Sequence, residues 1–490
     1  MTIERIIEVI KRKHPNADTT MVELAYEMAE KAHQGQKRLS GEDYIQHPLE
    51  TAYKLANMDI DMTTIIAAIL HDVPEDTDFT LEDIRKDFGK EVTNLVQGIT
   101  KLGTIKYRGL ERYAENLRKM FVAMAEDVRV VFIKFADRIH NLKTLYSLRP
   151  VKQQRIAKET LEIYAPIANR LGMSELQGEL EDLAFPYVYP EEYKWVVDTT
   201  KKKFESRKRD AEKMIKIMKE EFRKQKVEIL DIYGRGKRYY SLYRKLLRKE
   251  MDIDQIYDLV ALRIIVKSVD DCYRVLGIIH SIAKPLSGRV KDYISQPKPN
   301  GYKSLHTTVY YQNKIVEFQI RTKEMDEEAE WGIAAHWSFK ETIGGKKTKM
   351  RVDPEKLKWI KTLIQESSDK YEADEYLDKI KIDFFKNRIF VFTPKGDVID
   401  LPEGSIPIDF AYHIHTFIGD HTAGVKINSK MATLTTTLRS GDMVEIIVDK
   451  KRAKPSEEWL NLVQTHLAKD KIKQSLKKSD AIGIFKFFNR

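Results

Sequence analysis

His71 and Asp72 stand side by side after the apolar run 64–70, with His47 upstream and Asp137 downstream. Two imidazoles and two carboxylates make a mixed nitrogen and oxygen donor set without sulfur. Such a set suits a catalytic divalent ion with positions open for water and phosphate better than a closed structural zinc site. The dipeptide alone is common and mostly bland. Its neighbours strengthen it, because Glu75 and Asp76 follow at once in His71-Asp72-Val73-Pro74-Glu75-Asp76. Asp137 lies in residues 130–142, whose apolar positions recur at helical spacing and predict a buried helix. Asp137, Asn141 and Thr144 fall at i, i+4 and i+7, one polar stripe on that helix. A carboxylate there needs a partner: a metal is one, and an ion pair with Arg138 or a nearby lysine is the plainer alternative.

A second group of polar residues lies further along. Asp258 opens a β-rich run, 258–266, at the position where a sheet presents a carboxylate to a cleft. In residues 314–322 the alternation puts Val316, Phe318 and Ile320 on one face and Glu317, Gln319 and Arg321 on the other. That polar face reads as a solvent face or as a nucleotide site. Residues 234–241 combine two glycines with Arg235, Lys237, Arg238 and Ser241, a candidate phosphate-binding loop without P-loop spacing. Arg289 and Lys291, then Lys298, Asn300, Tyr302 and His306, add cations and a ring able to stack on a base.

The elements that must position these residues fall into distinct stretches. Residues 1–188 read as helical throughout and 189–226 as a charged helical connector, too polar to be core. Alternating strand patterns begin near Val227, so 227–343 is expected to be an α+β domain. A helical linker, 344–382, a compact strand-rich segment, 383–449, and a basic helical tail, 450–490, complete the chain. Hydrophobic content of 42% with 33% charged residues describes a soluble globular protein, and no apolar run approaches the ~18 residues of a membrane span. The single cysteine, Cys272, excludes an internal disulfide framework and fits a reducing cytoplasm. A net charge of +10 points to polyanionic partners, nucleotide phosphates or RNA.

Together these stretches resemble the Rel/SpoT family of alarmone enzymes. Residues 40–48, 71–76, 88–92, 98–102 and 136–141 are similar to its HD-type pyrophosphohydrolase domain. Residues 234–241, 288–293, 297–306, 319–322 and 331–337 are similar to its alarmone synthetase domain. The resemblance implies three folds: an all-helical HD domain, a mixed-sheet nucleotidyltransferase-like synthetase domain, and a small β-grasp TGS domain over 388–446. It implies that His47, His71, Asp72 and Asp137 hold manganese, that Glu75 and Asp76 position or activate the attacking water, and that Arg38, Asn141 and Thr144 contact the nucleotide. In the middle domain it implies transfer of the β,γ-pyrophosphate of ATP to the ribose 3′-hydroxyl of GDP or GTP. Asp258 and Glu317 would bind magnesium, with Glu317 also the base. Arg235, Lys237, Lys245, Arg263 and Arg321 would serve the ATP side, and Ser241 and Gln319 would also bind nucleotide. Tyr302 would stack on guanine, with Lys298, Asn300 and His306 near it, and Lys291 belongs to a basic loop typical of enzymes that both make and destroy (p)ppGpp.

The chain departs from the family pattern at Leu39, Pro74, Gly236, Arg238 and Asp326. The TGS-like segment implies contact with uncharged tRNA on the ribosome, and His413 and His415 there read equally well as structural histidines. The reading is a bifunctional cytoplasmic synthetase and hydrolase of (p)ppGpp, with no membrane partner and the oligomeric state left open. Its rivals are a catalytically silent tRNA or ribosome sensor and a hydrolase-only nucleotide phosphohydrolase.

Overall fold

A computed structural model describes residues 1–103, 109–256, 259–298, 300–312, 314–337, 388–449 and 454–488. Asp258 and the expected linker 344–382 lie outside the described residues. The chain divides into one unit of Met1–Tyr107 with Glu115–Glu366 and another of Arg108–Ala114 with Ser367–Arg490.

Helices make up the first part of the larger unit. Met62–Leu70 is apolar all round, with Thr64 to Leu70 all buried, as expected for a helix in the middle of a bundle. Asp61 starts it by accepting a hydrogen bond from Thr64 N at 3.0 Å. Its end delivers His71 and Asp72 at a defined point. Pro74 falls in the first turn of the short helix Val73–Asp76, where a missing N–H costs nothing, so it shapes the acidic motif without breaking it. The helix Arg129–Lys143 packs beside Gln46–Asn57 and buries ten side chains, Asp137 and His140 among them.

The connector is one long helix, Pro190–Lys224. The expectation that it is too polar for core does not hold. Ala211, Met214, Met218 and Phe222 recur at helical spacing and join the core of the following sheet. The many lysines and arginines on this helix mask that stripe in the sequence.

The sheet contains β1 (Asp231–Gly236), β2 (Val260–Val266), β3 (Lys284–Pro285), β4 (Lys291–Asp292), β5 (Leu305–Tyr311) and β6 (Lys314–Thr322). Their order is β1-β2-β6-β5-β3, with β4 beside β5. β2 and β6 run parallel with Ala261 opposite Glu317, and the other pairs are antiparallel. Strand alternation sorts the side chains. Ile232, Leu262, Ile264, Leu305, Val309, Val316, Phe318 and Ile320 form a core with the connector and the helix Val269–Ile282. Tyr233, Arg235, Arg263, His306, Glu317, Gln319 and Arg321 therefore share the opposite face.

Backbone meets backbone where the helical part joins the sheet part. Ile333 N donates to Leu171 O at 2.9 Å. Gly332 has φ +57°, and a Cβ there would lie 2.2 Å from Leu171 O, so only glycine allows this approach.

In the smaller unit β7 (Arg388–Phe392) pairs with β8 (Val398–Pro402), and β9 (Thr422–Ile427) lies between β10 (Lys430–Ala432) and β11 (Val444–Val448). The helix Pro407–Ile414 packs on them. Its Asp409, fully buried, accepts from Ile406 N, Gln464 N and Thr465 N at 2.8–3.0 Å and so ties down the start of the tail helix His466–Phe488. Among the described residues no helix is long and apolar enough to cross a membrane.

Candidate functional sites

His47 on Gln46–Asn57, His71 at the end of Met62–Leu70 and Asp137 on Arg129–Lys143 are all buried, and one ligand atom from each lies within 4.8 Å of the others. Asp72 completes the group: His47 Nε2 is 3.4 Å from its Oδ2 and His71 Nε2 3.2 Å from its Oδ1. His47 Nε2 is also 3.2 Å from Asp137 Oδ1. His71 Nδ1 donates to Ala68 O at 2.7 Å, which leaves Nε2 with its lone pair facing a carboxylate oxygen. That buried nitrogen has no hydrogen-bond partner. A nitrogen lone pair facing a carboxylate oxygen favours positive charge between them, a proton or a metal ion, and the nitrogen and oxygen set suits a divalent one.

Both readings of Asp137 contain part of the answer. Lys134, not Arg138, pairs with its Oδ2 at 2.8 Å, while Arg138 turns to Glu159 at 3.1 Å. Oδ1 remains directed at His47. Burial would raise the Asp137 carboxyl, but Lys134 and His47 outweigh it and hold it well below the usual range. Asp72 is likewise lowered, with His71 and His47 overcoming burial. Both carboxylates are thus kept ionised. Asn141 donates to Asp137 and accepts from Arg38 Nη2 at 2.6 Å, which chains two of the expected nucleotide contacts to the cluster. The Thr144 hydroxyl is bonded to the carbonyls of His140 and Asn141 in its own helix. Leu39 points to solvent. Glu75 and Asp76 project from Val73–Asp76 beside the cluster with part of each side chain in solvent, and partial desolvation together with the Asp72 charge raises Glu75 above its ordinary value.

On the sheet face, a cleft of about 240 Å³ is lined by Arg235, Lys237, Arg238, Ser241, Arg263, Glu317 and Gln319 and by the helix Ser174–Val188. Lys245 sits one turn beyond Ser241 on the helix Tyr239–Leu247. Gln319 donates to Glu317 Oε1 at 3.2 Å and accepts from Arg321 Nη2 at 2.8 Å. The polar alternation thus produces a cleft face, with one exception. Arg321 is fully buried beneath it, its Nη2 also 3.2 Å from the Tyr302 hydroxyl and its Nη1 3.4 Å from Asp326. Asp326 also stands 3.5 Å from Arg263, which Glu330 holds at 2.8 Å. The Tyr302 hydroxyl is 2.7 Å from His306 Nε2, and the Lys298 ammonium lies over the Tyr302 ring at 4.8 Å. Burial and the cations Lys298, Arg321 and Lys291 push His306 down to about 3, so it meets Tyr302 as a neutral ring. Asn300 accepts from Tyr302 N, and Lys291 stands opposite His306 on β4.

Residues 25–174 match the family described as HD domain, 234–344 the region found in RelA / SpoT proteins, and 389–448 the TGS domain. The guanosine-3′,5′-bis(diphosphate) 3′-pyrophosphohydrolase of Aquifex aeolicus is 47% identical over 98% of this chain and 68% of its own length. The chain belongs to the RelA/SpoT family. The bifunctional (p)ppGpp synthase/hydrolase SpoT of Escherichia coli is 43% identical over 98% of the chain and 68% of the relative. A GTP pyrophosphokinase of Streptomyces coelicolor is 42% identical over 96% of the chain. The chain spans 57% of that relative's length.

Within this RelA/SpoT chain the structure adds residues that sequence reasoning passed over. The Tyr44 hydroxyl lies 3.1 Å from Asp72 and 2.5 Å from Asp76, joining the cluster to an acid of the following motif. It stacks on His33 at 4.5 Å, and burial with Asp72 raises its pKa. His140 Nδ1 is 2.8 Å from His47 Nδ1. Both lie inside quoted motifs, Tyr44 three residues before His47 and His140 three after Asp137, but neither spacing singles them out. In the TGS region His413 Nδ1 is 3.3 Å from Asp409 O and His415 Nδ1 accepts from Phe417 N at 3.1 Å, so both have backbone partners.

Proposed function

We propose that this chain makes (p)ppGpp by moving pyrophosphate from ATP to the 3′-hydroxyl of GDP or GTP, and destroys it by hydrolysis to GDP or GTP and pyrophosphate. The observation that carries this is two separate clusters of chemistry-bearing side chains among the described residues. One is the cluster of His47, His71 and Asp137 with Asp72 beside it, where His71 Nε2 has no hydrogen-bond partner. The other is the cation-lined cleft around Glu317.

At the first site His47, His71, Asp72 and Asp137 would hold manganese. A bound divalent ion makes water a better nucleophile and offsets charge growing on phosphorus. Glu75 and Asp76 accept the proton and orient the water, with Tyr44 fixing Asp76. Arg38, Asn141 and Thr144 take the nucleotide.

At the second site Asp258 and Glu317 would hold magnesium. Glu317 takes the proton of the ribose 3′-hydroxyl, and Gln319 keeps its carboxylate in place. Arg235, Lys237, Ser241, Lys245 and Arg263 receive the triphosphate. Phosphoryl chemistry of this type is mostly positioning and charge neutralisation, which this density of cations serves. Arg321, being buried, acts by holding Gln319 and Tyr302. Tyr302 stacks on guanine with Lys298, Asn300 and His306 around it, and Lys291 approaches from β4.

The TGS segment would contact uncharged tRNA on the ribosome, and a cytoplasmic location follows from these partners. The test is to incubate the protein with ATP and GDP in magnesium, and with ppGpp in manganese, and to separate the nucleotides. Formation of ppGpp in the first and its loss in the second are expected. No turnover in either would favour the silent sensor, and hydrolysis alone the phosphohydrolase.

A further inference from the structure

Glu175 opens the helix Ser174–Val188, the last helix before the connector, and its carboxylate reaches across to the sheet. Oε2 accepts from Arg235 Nη2 at 2.8 Å, and Oε1 pairs with Arg238 Nη2. The same helix holds Arg238 twice more. Asp182 stands 3.9 Å from its Nη1, and Gly178 presses against its stem, where a Cβ would come within 3.1 Å of Nε. The helix is fastened in this position by contacts with main-chain groups of the neighbouring elements. Asp182 accepts from Tyr240 N at 2.9 Å, Ser174 donates to Ala329 O, and Ile333 N bonds Leu171 O just before the helix begins. Two guanidinium groups at the phosphate cleft are therefore already engaged, and by a side chain from outside the sheet domain.

We propose that Glu175 holds the place of nucleotide phosphates at Arg235 and Arg238, so that a residue of the helical domain sets the affinity of the synthetase cleft for ATP. The inference rests on the reading of that cleft as the ATP site. A carboxylate spanning two guanidinium groups offers them the same kind of charged oxygen acceptors that a phosphate chain does. Glu175, Arg235 and Arg238 have side chains 27%, 28% and 31% exposed, so solvent screens the pairs and a triphosphate can displace them. Displacement needs only a rotation of the Glu175 side chain, because the main-chain contacts do not involve it. ATP then binds a form with both arginines released, and its apparent affinity falls by the fraction of molecules in that form.

The test is binding of a non-transferable ATP analogue with magnesium to the full chain, measured by calorimetry for wild type, Glu175→Gln and Glu175→Ala. Hydrolysis of ppGpp in each variant reports an intact fold. Both variants should bind the analogue about five- to tenfold more tightly, the scale of a partly exposed pair of ion contacts. The KM for ATP should fall by the same factor, with kcat and the KM for GDP unchanged. Equal affinity in all three proteins overturns the inference. Weaker binding in both variants with hydrolysis intact also overturns it, making Glu175 a brace for the arginines. No binding to any of the three would instead overturn the reading of the cleft as an ATP site, and the inference with it.

Discussion

His47 and His140 face each other Nδ1 to Nδ1 at 2.8 Å. Burial, with His47 and Arg38 nearby, pushes His140 down to about 3, so at neutral pH it is an uncharged ring able to donate or accept. Only the arrangement in which His47 donates leaves His47 Nε2 with a lone pair for a cation. His140 therefore fixes the tautomer and aim of a proposed ligand, as outer partners of metal-bound histidines do. His140→Ala should weaken manganese affinity about 10- to 100-fold, and His140→Asn, which keeps an acceptor, less so. Calorimetric titration with manganese checks this. Unchanged affinity in the alanine variant would reduce His140 to core packing.

Tyr44 carries one proton and meets two carboxyl groups, Asp72 and Asp76, which in their ionised form can only accept. Its raised pKa keeps the phenol protonated at any working pH. Tyr44→Phe keeps the stack on His33 and removes only the hydroxyl. Hydrolysis should fall by about 10-fold or more, toward the ~100-fold scale of disturbing a general base, while synthesis is unaffected. Steady-state rates of both reactions decide it, and a wild-type hydrolysis rate would separate Tyr44 from the reaction.

Cys272 is fully buried in the sheet core. Burial first and Asp271 second raise its thiol to about 12. A raised thiol pKa leaves little thiolate at pH 8, and thiolate is the reactive form. A disulfide-exchange reagent at pH 8 should therefore modify native protein far more slowly than denatured protein. The reaction rate across a urea titration should follow unfolding of the synthetase domain. Rapid native labelling would contradict the packing of the helix Val269–Ile282 on the sheet.

Much of this arrangement is legible in the sequence, because strict periodicity is a local property. The alternation in residues 314–322 specifies both faces of β6, and the apolar run before His71 specifies a buried helix whose end carries the pair. Long-range relationships are the part that is hidden. Arg321 follows the alternation yet is buried, with Tyr302 from 19 residues earlier and Asp326 from the helix that follows β6 closing over it. Pairing of Glu175 with Arg235 spans 60 residues and two domains, and no spacing rule connects them. The connector's stripe of Ala211, Met214, Met218 and Phe222 has helical period but is diluted by the charges around it.

Reciprocal inactivation of the two sites tests the central claim most directly. Asp72 and Glu317 lie in different domains, so Asp72→Ala and Glu317→Gln should fail in opposite assays on the same preparation. With radiolabelled ATP plus GDP, and with ppGpp plus manganese, Asp72→Ala should make ppGpp at the wild-type rate and cleave none. Glu317→Gln should cleave it normally and make at least ~100-fold less, the lower scale for loss of a general base. Wild-type hydrolysis by Asp72→Ala, or near-normal synthesis by Glu317→Gln, would contradict two independent active sites built on these residues.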